Sequence, residues 1–138
     1  MTRAKQAILP AYLLLCLLLG GSVLAARDFY KVELEDILIV CDDFNLPLAK
    51  LRLRAKGTAG GQNGLANILE RLGTDDVPRL RIGIGTPPPG RDAAGYVLSR
   101  FTKDEQSVIA EAVDRAANAA AAWAESGIAE AMNKYNTT

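Results

Sequence analysis

No histidine occurs anywhere in the 138 residues of the chain. Histidine is the commonest zinc ligand and the commonest general base near neutral pH, so the usual forms of both sites are excluded within these residues. Cysteine is scarce too, because the chain has only Cys16 and Cys41, each in an aliphatic run. Such thiols behave as small buried apolar groups, and we expect no disulfide framework.

An excess of charge of either sign is also absent, because 16 basic and 16 acidic residues cancel. Net charge therefore indicates no class of partner, and a surface for nucleic acid has to come from local clustering. The chain is 49% apolar and 23% charged, which is ordinary for a folded protein. At this length we expect one globular domain.

The amino-terminal residues allow two interpretations. An apolar run at residues 7–19 follows two basic residues and precedes small residues, which is the layout of a secretory signal if residues 1–25 are removed. The run is short for a membrane span, so we do not expect membrane insertion. The alternative is a buried strand that feeds a helix. Residues 1–22 are thus interpreted as an apolar leader or a residual strand, and residues 23–138 as the domain.

The period of the apolar pattern changes along the domain. Residues 23–30 have helical spacing, with Phe29 and Tyr30 among the apolar positions, and residues 37–41 form an aliphatic run typical of a strand buried on both faces. An alternating strand follows at 50–56, then a helix at 63–72 capped by Gly73 and a strand at 78–85. A short helix is predicted at 92–101. A capping box at Thr102 begins a long helix that extends to about Tyr135, and Gly127 weakens this helix. This order predicts an α/β domain with a mixed sheet, thin unless the amino-terminal run adds a strand.

The glycine-rich stretch "AKGTAGGQNGL", residues 55–65, lies between a predicted strand and a predicted helix. It lacks the Lys and the following Ser or Thr of a nucleotide-binding P-loop, so it does not indicate an NTPase. A plain turn with Asn63 or Thr58 as helix cap would account for it. The Asn63 amide both donates and accepts hydrogen bonds, so it could equally hold an ester, a peptide or a ribose edge.

Two charged groups flank this stretch. Asp42 and Asp43 follow the buried strand, at the sheet edge where open α/β sheets gather ligands, and could bind a metal, orient a base or be solvated loop carboxylates. Too few further ligands are visible for a metal centre. A basic stripe suits phosphate contacts, with a solvated strand face as the alternative. It consists of Lys50, Arg52, Arg54 and Lys56, and Arg79 and Arg81 extend it.

Three segments together resemble the bacterial-type peptidyl-tRNA hydrolase family. They are "DDFNLPLAKLRLRAKGTAGGQNGL", "LGTDDVPRLRIGIG" and "AAGYVLSRFTKDE". The resemblance covers about residues 23–138. It implies a three-layer α/β fold around a mixed sheet, and a cytoplasmic, monomeric enzyme without metal or cofactor. Such an enzyme hydrolyses the ester that links a peptide to the terminal ribose of tRNA.

The resemblance also implies roles for particular residues. In this family a histidine acts as general base toward water and an aspartate orients and stabilises it. That aspartate matches Asp42 in "DDFNLP", and the asparagine of the "GG[HQ]NG" motif matches Asn63, which is expected to contact the tRNA or the peptide end. The basic position that binds phosphate falls on Arg52. Gly60 and Gly61 are expected to let the backbone approach the substrate closely.

The chain departs from the family at its start. The family's "GLGNPG" strand and the catalytic histidine have no counterpart, and "LLLCLLLGG" stands in place of "TxMNxSG". Residues 13–16 resemble the strand that enters that motif. Ala49 stands where glycine is usual, and Thr86 where arginine is common. We therefore expect a fold that is incomplete at the amino terminus, from a truncated gene model or a degraded paralogue.

Three functions follow as expectations. The first is a peptidyl-tRNA hydrolase of impaired activity, because a general base typically contributes about 10²–10⁴-fold to the rate. The second is a non-catalytic RNA-binding paralogue, which needs the basic strand but no histidine. The third is an exported small α/β domain. The resemblance disfavours export, because tRNA has no place in a secretory compartment.

Overall fold

The computed structural model of the chain describes residues 14–15 and 20–136. Four strands form one sheet: β1 (Leu14–Leu15), β2 (Ile39–Asp43), β3 (Leu51–Arg54) and β4 (Arg79–Gly83). The helices are α1 (Gly20–Tyr30), α2 (Asn63–Leu72), α3 (Ala93–Val97), α4 (Lys103–Ser126) and α5 (Ile128–Tyr135). The strand order is β1-β2-β4-β3, parallel except for the antiparallel pair β3 and β4. The predicted mixed α/β sheet is confirmed.

Helices cover the sheet on both sides. On one side, which we call the α1–α2 face, Ile39 and Cys41 of β2 pack against the apolar side chains of both helices. On the other, the α4–α5 face, Leu53 and Leu80 are fully buried against Trp123 and the alanines of α4. The three-layer arrangement is confirmed, and burial on two faces explains the unbroken aliphatic run in β2.

Alternation along β3 and β4 separates apolar from basic side chains. Leu51, Leu53 and Leu80 join the core of the α4–α5 face. The arginines between them share the α1–α2 face, because Arg79 is in register with Ile39, and Arg81 with Cys41. β3 and β4 therefore give apolar side chains to the core of the α4–α5 face and basic side chains to the α1–α2 face.

The predicted helix boundaries hold with three differences, the first being that the short helix expected at residues 92–101 spans only Ala93–Val97. Gly73 is the left-handed cap of α2 with φ 72°, and the capping box between Thr102 and Glu105 opens α4. The single long helix expected up to Tyr135 is wrong, because Gly127 adopts φ 90° and separates α4 from α5. A positive φ cannot continue a right-handed helix.

The first helix differs more from expectation. It begins at Gly20, and so crosses the boundary expected between residues 22 and 23. Val23 is buried, but Phe29 and Tyr30 are 79% and 52% exposed, so their helical spacing does not mark a buried face. Leu14 and Leu15 pair in parallel with Ile39 and Val40. The rest of the apolar run, including Cys16, lies outside the described residues.

The outer edge of β3 is closed by a side chain. The Asn136 amide donates from Nδ2 to the Leu53 carbonyl at 2.9 Å and accepts from the Leu53 N–H at 2.7 Å. It thus replaces a neighbouring strand at an edge that would otherwise offer free backbone groups. Among residues 14–15 and 20–136, no helix combines the length and apolar character that a membrane crossing requires.

Candidate functional site

The two aspartates that end β2 face different surroundings. Asp43 is 5% exposed, and its carboxylate accepts hydrogen bonds from the Asn45 N–H at 2.8 Å and from Arg81 Nη1 at 3.3 Å. Asp42 is half-buried and lines a groove on the α4–α5 face. Side chains alternate along a strand, which separates the two carboxylates. In the described part of the chain, no group of three or more acidic, Cys or His side chains could hold a metal ion.

The glycine loop, residues 55–62, crosses the sheet edge next to these aspartates. Gly60 and Gly61 adopt φ values of 59° and 86°, which glycine tolerates best. A Cβ on Gly60 would lie 2.7 Å from Arg81 Nη1, whereas a Cβ on Gly61 would meet open space. Gly60 therefore makes room for the arginine beneath the loop. The close approach of a substrate to either glycine stays a prediction.

Gln62 connects the glycine loop with Asp42. Its Oε1 accepts from the Leu65 N–H at 2.6 Å and caps α2, and its Nε2 donates to Asp42 Oδ1 at 3.3 Å. The expected cap at Asn63 or Thr58 is wrong, because Asn63 is already the first helical residue. Sequence reasoning did not identify Gln62, although it occupies the variable position of "GG[HQ]NG".

The side chain of Asn63 is exposed, and it makes no hydrogen bond within the described part of the chain. Its backbone belongs to the first turn of α2, where N–H groups and the helix dipole favour anionic or carbonyl oxygens. Asn63 therefore presents a donor and an acceptor to solvent, next to the glutamine that contacts Asp42.

Four arginines gather on the α1–α2 face, beyond the part that the helices cover. This arginine cluster consists of Arg52, Arg54, Arg79 and Arg81, in which Arg52 is directly opposite Arg81, and Arg54 opposite Arg79. Like charges in such positions repel. The cluster and Lys56 line one pocket, to which Asp43 contributes the only carboxylate among the described residues. The arrangement is suited to an anion.

Two details strengthen this electrostatic argument. The Nε atoms of Arg52 and Arg81 are buried without a hydrogen-bond partner in the described structure. An unsatisfied buried donor costs about 1–3 kcal/mol, which a bound anion would relieve if it reached those atoms. Lys50, which directly precedes β3, is not among the residues that line the pocket. The structure thus brings Arg52, Arg54 and Lys56 together and leaves Lys50 outside.

Arg79 is the most buried member of the arginine cluster, at 1% exposure. Burial lowers the pKa of its guanidinium, and the nearby charge of Arg81 lowers that pKa further. Its donors contact carbonyls of the surrounding connections, including that of Thr58 at 3.0 Å. Arg81 Nη2 donates to the same carbonyl at 2.9 Å.

An apolar groove of about 290 Å³ borders Asp42 on the α4–α5 face. Its walls come from the end of β4, from α3 and from the first half of α4. Its apolar and aromatic lining includes Ile82, Ile84, Tyr96, Phe101, Ile109 and Val113. Tyr96 ties α3 to the sheet, because its hydroxyl donates to the Ile84 carbonyl at 2.8 Å. Asp42 thus lies between an apolar groove and the glycine loop.

Chemically, the site supplies acceptors, donors and positive charge. The carboxylate of Asp42 can orient a protonated group or a water, the Asn63 amide can hold a carbonyl or a hydroxyl, and the arginine cluster can bind phosphate. A histidine general base would have to come from outside these 138 residues, which contain none.

Comparison with known proteins identifies a family. The family model described as peptidyl-tRNA hydrolase matches residues 17–138. The peptidyl-tRNA hydrolase of Chloroflexus aggregans is 49% identical over 118 residues, which are 85% of this chain and 63% of that protein. That of Chlorobium phaeobacteroides is 45% identical over 117 residues, 85% of this chain and 62% of that protein.

Solved structures agree with this result. The crystal structure of peptidyl-tRNA hydrolase from Acinetobacter baumannii has a TM-score of 0.78 and 34% identity to this chain. The match covers 86% of this chain and 60% of that one. The chain therefore spans somewhat less than two thirds of the length of the relatives that it matches.

Proposed function

The chain belongs to the peptidyl-tRNA hydrolase family, and from that premise we propose that it binds peptidyl-tRNA at the sheet edge where β2 ends. In this proposal Asp42 orients and stabilises the group that activates water, and Asn63 contacts the tRNA or the peptide next to the ester. Arg52, Arg54 and Lys56 contact phosphates. The reaction served is hydrolysis of the ester between peptide and tRNA, and cytoplasm is the proposed compartment.

The observation that carries the proposal is the pair of connections made by the glycine loop. At one end, Gln62 donates to Asp42, and near the other end, Arg81 donates to the Thr58 carbonyl. A ligand that combines an ester with a phosphate backbone can engage both ends at once. Gly61, with open space above it, lies between them. The loop therefore supports a substrate that has both chemistries.

Hydrolysis by this chain alone is proposed to be weak. Asp42 can accept a hydrogen bond at the site, but a carboxylate that orients a general base does not replace that base. Loss of the general base typically lowers the rate by about 10²–10⁴-fold. A turnover of peptidyl-tRNA close to that of a full-length relative would contradict this part of the proposal. We also propose that the chain acts as a monomer.

The binding test is a titration of tRNA at several salt concentrations. Each phosphate contact contributes about 0.7–0.9 to the slope of log K against log salt concentration. Arg52→Ala is expected to reduce the slope by about that amount, whereas Lys50→Ala, the matched control outside the pocket, leaves it nearly unchanged. Equal slopes for the unaltered chain and Arg52→Ala would contradict the assigned phosphate contact.

A second candidate is a non-catalytic RNA-binding protein. The specific observation in its favour is an arginine cluster in a chain that has no histidine. Equal affinity for tRNA and for an unrelated structured RNA, without ester cleavage, would favour this candidate. Tighter binding of tRNA that has a blocked aminoacyl group on its terminal ribose would favour the first proposal.

A further inference from the structure

Arg79 differs from the other members of the arginine cluster in what it contacts. Each of its three guanidinium nitrogens donates to a backbone carbonyl: Nε to Val77 at 2.8 Å, Nη1 to Thr58 at 3.0 Å and Nη2 to Asp75 at 3.0 Å. These carbonyls belong to two separate connections, the glycine loop and the segment between α2 and β4. We propose that Arg79 is a positioning residue and not a phosphate ligand. It fixes the first part of the glycine loop and thereby the position of Gln62 at the end of the loop.

The burial of Arg79 supports this role. A buried charge is costly unless its hydrogen bonds are satisfied, and within the described residues Arg79 forms no ion pair with a carboxylate. Three carbonyl oxygens accept from its donors, and the negative charge of nearby Asp75 also favours the charged form. The planar guanidinium presents donors in a rigid fork, which matches three carbonyls held in different directions. A lysine at this position would keep the charge but could not make the same set of contacts.

The contacts lie where the loop begins. The Gly57 N–H donates at 3.0 Å to the same Asp75 carbonyl that accepts from Arg79. The Thr58 carbonyl is held by both Arg79 and Arg81. Beyond these residues, the loop turns through Gly60 and Gly61 and delivers Gln62 to Asp42. Release of Gly57 and Thr58 would therefore let the polar end of the loop move.

The test compares Arg79→Lys with Arg54→Lys, the same change in the residue directly opposite on β3. Amide hydrogen exchange of the free protein is measured at Gly57, Gln62 and Leu65, whose N–H groups are hydrogen-bonded within or next to the loop. We expect exchange there to be at least roughly tenfold faster in Arg79→Lys, with residues 112–124 of α4 unchanged. Unchanged loop exchange in Arg79→Lys would overturn the proposal.

A second variant, Gly57→Ala, keeps the proposal testable if Arg79→Lys does not fold. Gly57 has φ 136°, so Gly57→Ala strains the same part of the loop, and its Cβ would lie 3.8 Å from Arg79 Nη1, a van der Waals contact that leaves the guanidinium in place. If Arg79→Lys does not fold, Gly57→Ala has to show the faster exchange at Gln62 and Leu65. Slow exchange in that variant would contradict the inference that this part of the loop holds its polar end.

Arg79→Gln separates positioning from phosphate contact in tRNA binding. A positioning role, which here rests on the proposed function, predicts weaker binding at every salt concentration with an unchanged slope. A slope reduced by about 0.7–0.9 would show a direct phosphate contact and overturn the proposal. Failure of the unaltered chain to bind tRNA would contradict the proposed function, and the exchange measurement would still decide the role of Arg79.

Discussion

The two sides of β3 and β4 are made by neighbouring residues yet have opposite chemistry. Leu53 and Leu80 are fully buried against α4 and α5. Their sequence neighbours Arg52 and Arg81 point to the other face of the sheet. The leucine side is a close-packed core whose contribution comes from removing apolar area from water. The arginine side places like charges opposite each other, at a cost to the free chain. One pair of strands therefore carries stability on one face and the proposed binding surface on the other.

This separation predicts that stability and binding can be changed independently. A substitution on the leucine face should alter the free energy of unfolding and leave the salt dependence of tRNA binding unchanged. A substitution of an exposed arginine should do the opposite. Buried charged residues on the arginine face, such as the ion pair of Arg81 and Asp43, should affect both.

The largest expected effect is that of Leu80→Ala. Leu80 is 0% exposed in the core of the α4–α5 face, so truncation leaves a cavity. We expect a loss of about 2–5 kcal/mol in the free energy of unfolding. Urea unfolding followed by the fluorescence of Trp123, the only tryptophan, measures it. Arg54→Ala on the opposite face is the control and should stay within about 0.5 kcal/mol. A similar loss in both variants would contradict the separation of the faces.

The ion pair between Arg81 and Asp43 gives the next effect. Arg81→Met leaves the Asp43 carboxylate, 5% exposed, without its cation, and we expect a loss of about 1–3 kcal/mol. Asp43→Asn in the same chain should recover part of that loss, because an amide is neutral and still accepts from the Asn45 N–H. A double-mutant cycle by urea unfolding measures the coupling. Strictly additive effects would show that the pair contributes nothing.

The closed edge of β3 gives a smaller effect. Asn136→Ala removes both hydrogen bonds to Leu53 and frees its backbone groups. Each net hydrogen bond contributes about 0.5–1.5 kcal/mol, which gives about 1–3 kcal/mol for the two. Because water can replace part of these bonds at a freed strand edge, we expect a loss in the lower half of that range. Asn133→Ala on the exposed side of α5 is the matched control. Sedimentation of both variants also shows whether the freed edge promotes association. Equal stability of the two variants would contradict a role of Asn136 at the edge.

Much of the fold could be predicted because it depends on local patterns. The aliphatic run gave β2, the alternation of leucine and arginine gave β3, and the caps at Gly73 and Thr102 gave helix ends. In each case the residues that decide the structure are neighbours in sequence. The exposure of Phe29 could not be predicted, since helical spacing does not say what a neighbouring helix covers.

The candidate site could be predicted only in part. Asp42, Asn63 and the basic stripe were identified from the sequence, and their proposed roles depend on the family resemblance. The contacts that organise them were missed, because they join residues far apart in sequence. Gln62 reaches Asp42 across 20 residues, and Arg79 reaches Thr58 across 21. Such contacts depend on the geometry of the glycine loop, which no local pattern specifies.

The smallest expected change in the free energy of unfolding concerns Ala49, which lies two residues before Leu51, the first residue of β3. It adopts φ 68°, a left-handed conformation that costs a residue with a Cβ about 1–2 kcal/mol. Its carbonyl accepts from Arg115 Nη2 of α4 at 2.6 Å and its N–H donates to the Gly83 carbonyl at 2.8 Å, so both neighbours hold it in place.

Ala49→Gly relieves that strain but loses a buried methyl group, worth about 0.8 kcal/mol, and adds roughly 0.5–1 kcal/mol of backbone entropy to folding. We expect a net change below about 1 kcal/mol. Lys31→Gly is the matched control, because Lys31 has φ 53° and is exposed, so it relieves strain without the burial loss. Lys31→Gly should therefore stabilise the chain more, as measured by urea unfolding. If Ala49→Gly raised the free energy of unfolding more than Lys31→Gly, the strain at Ala49 would outweigh the burial of its methyl group.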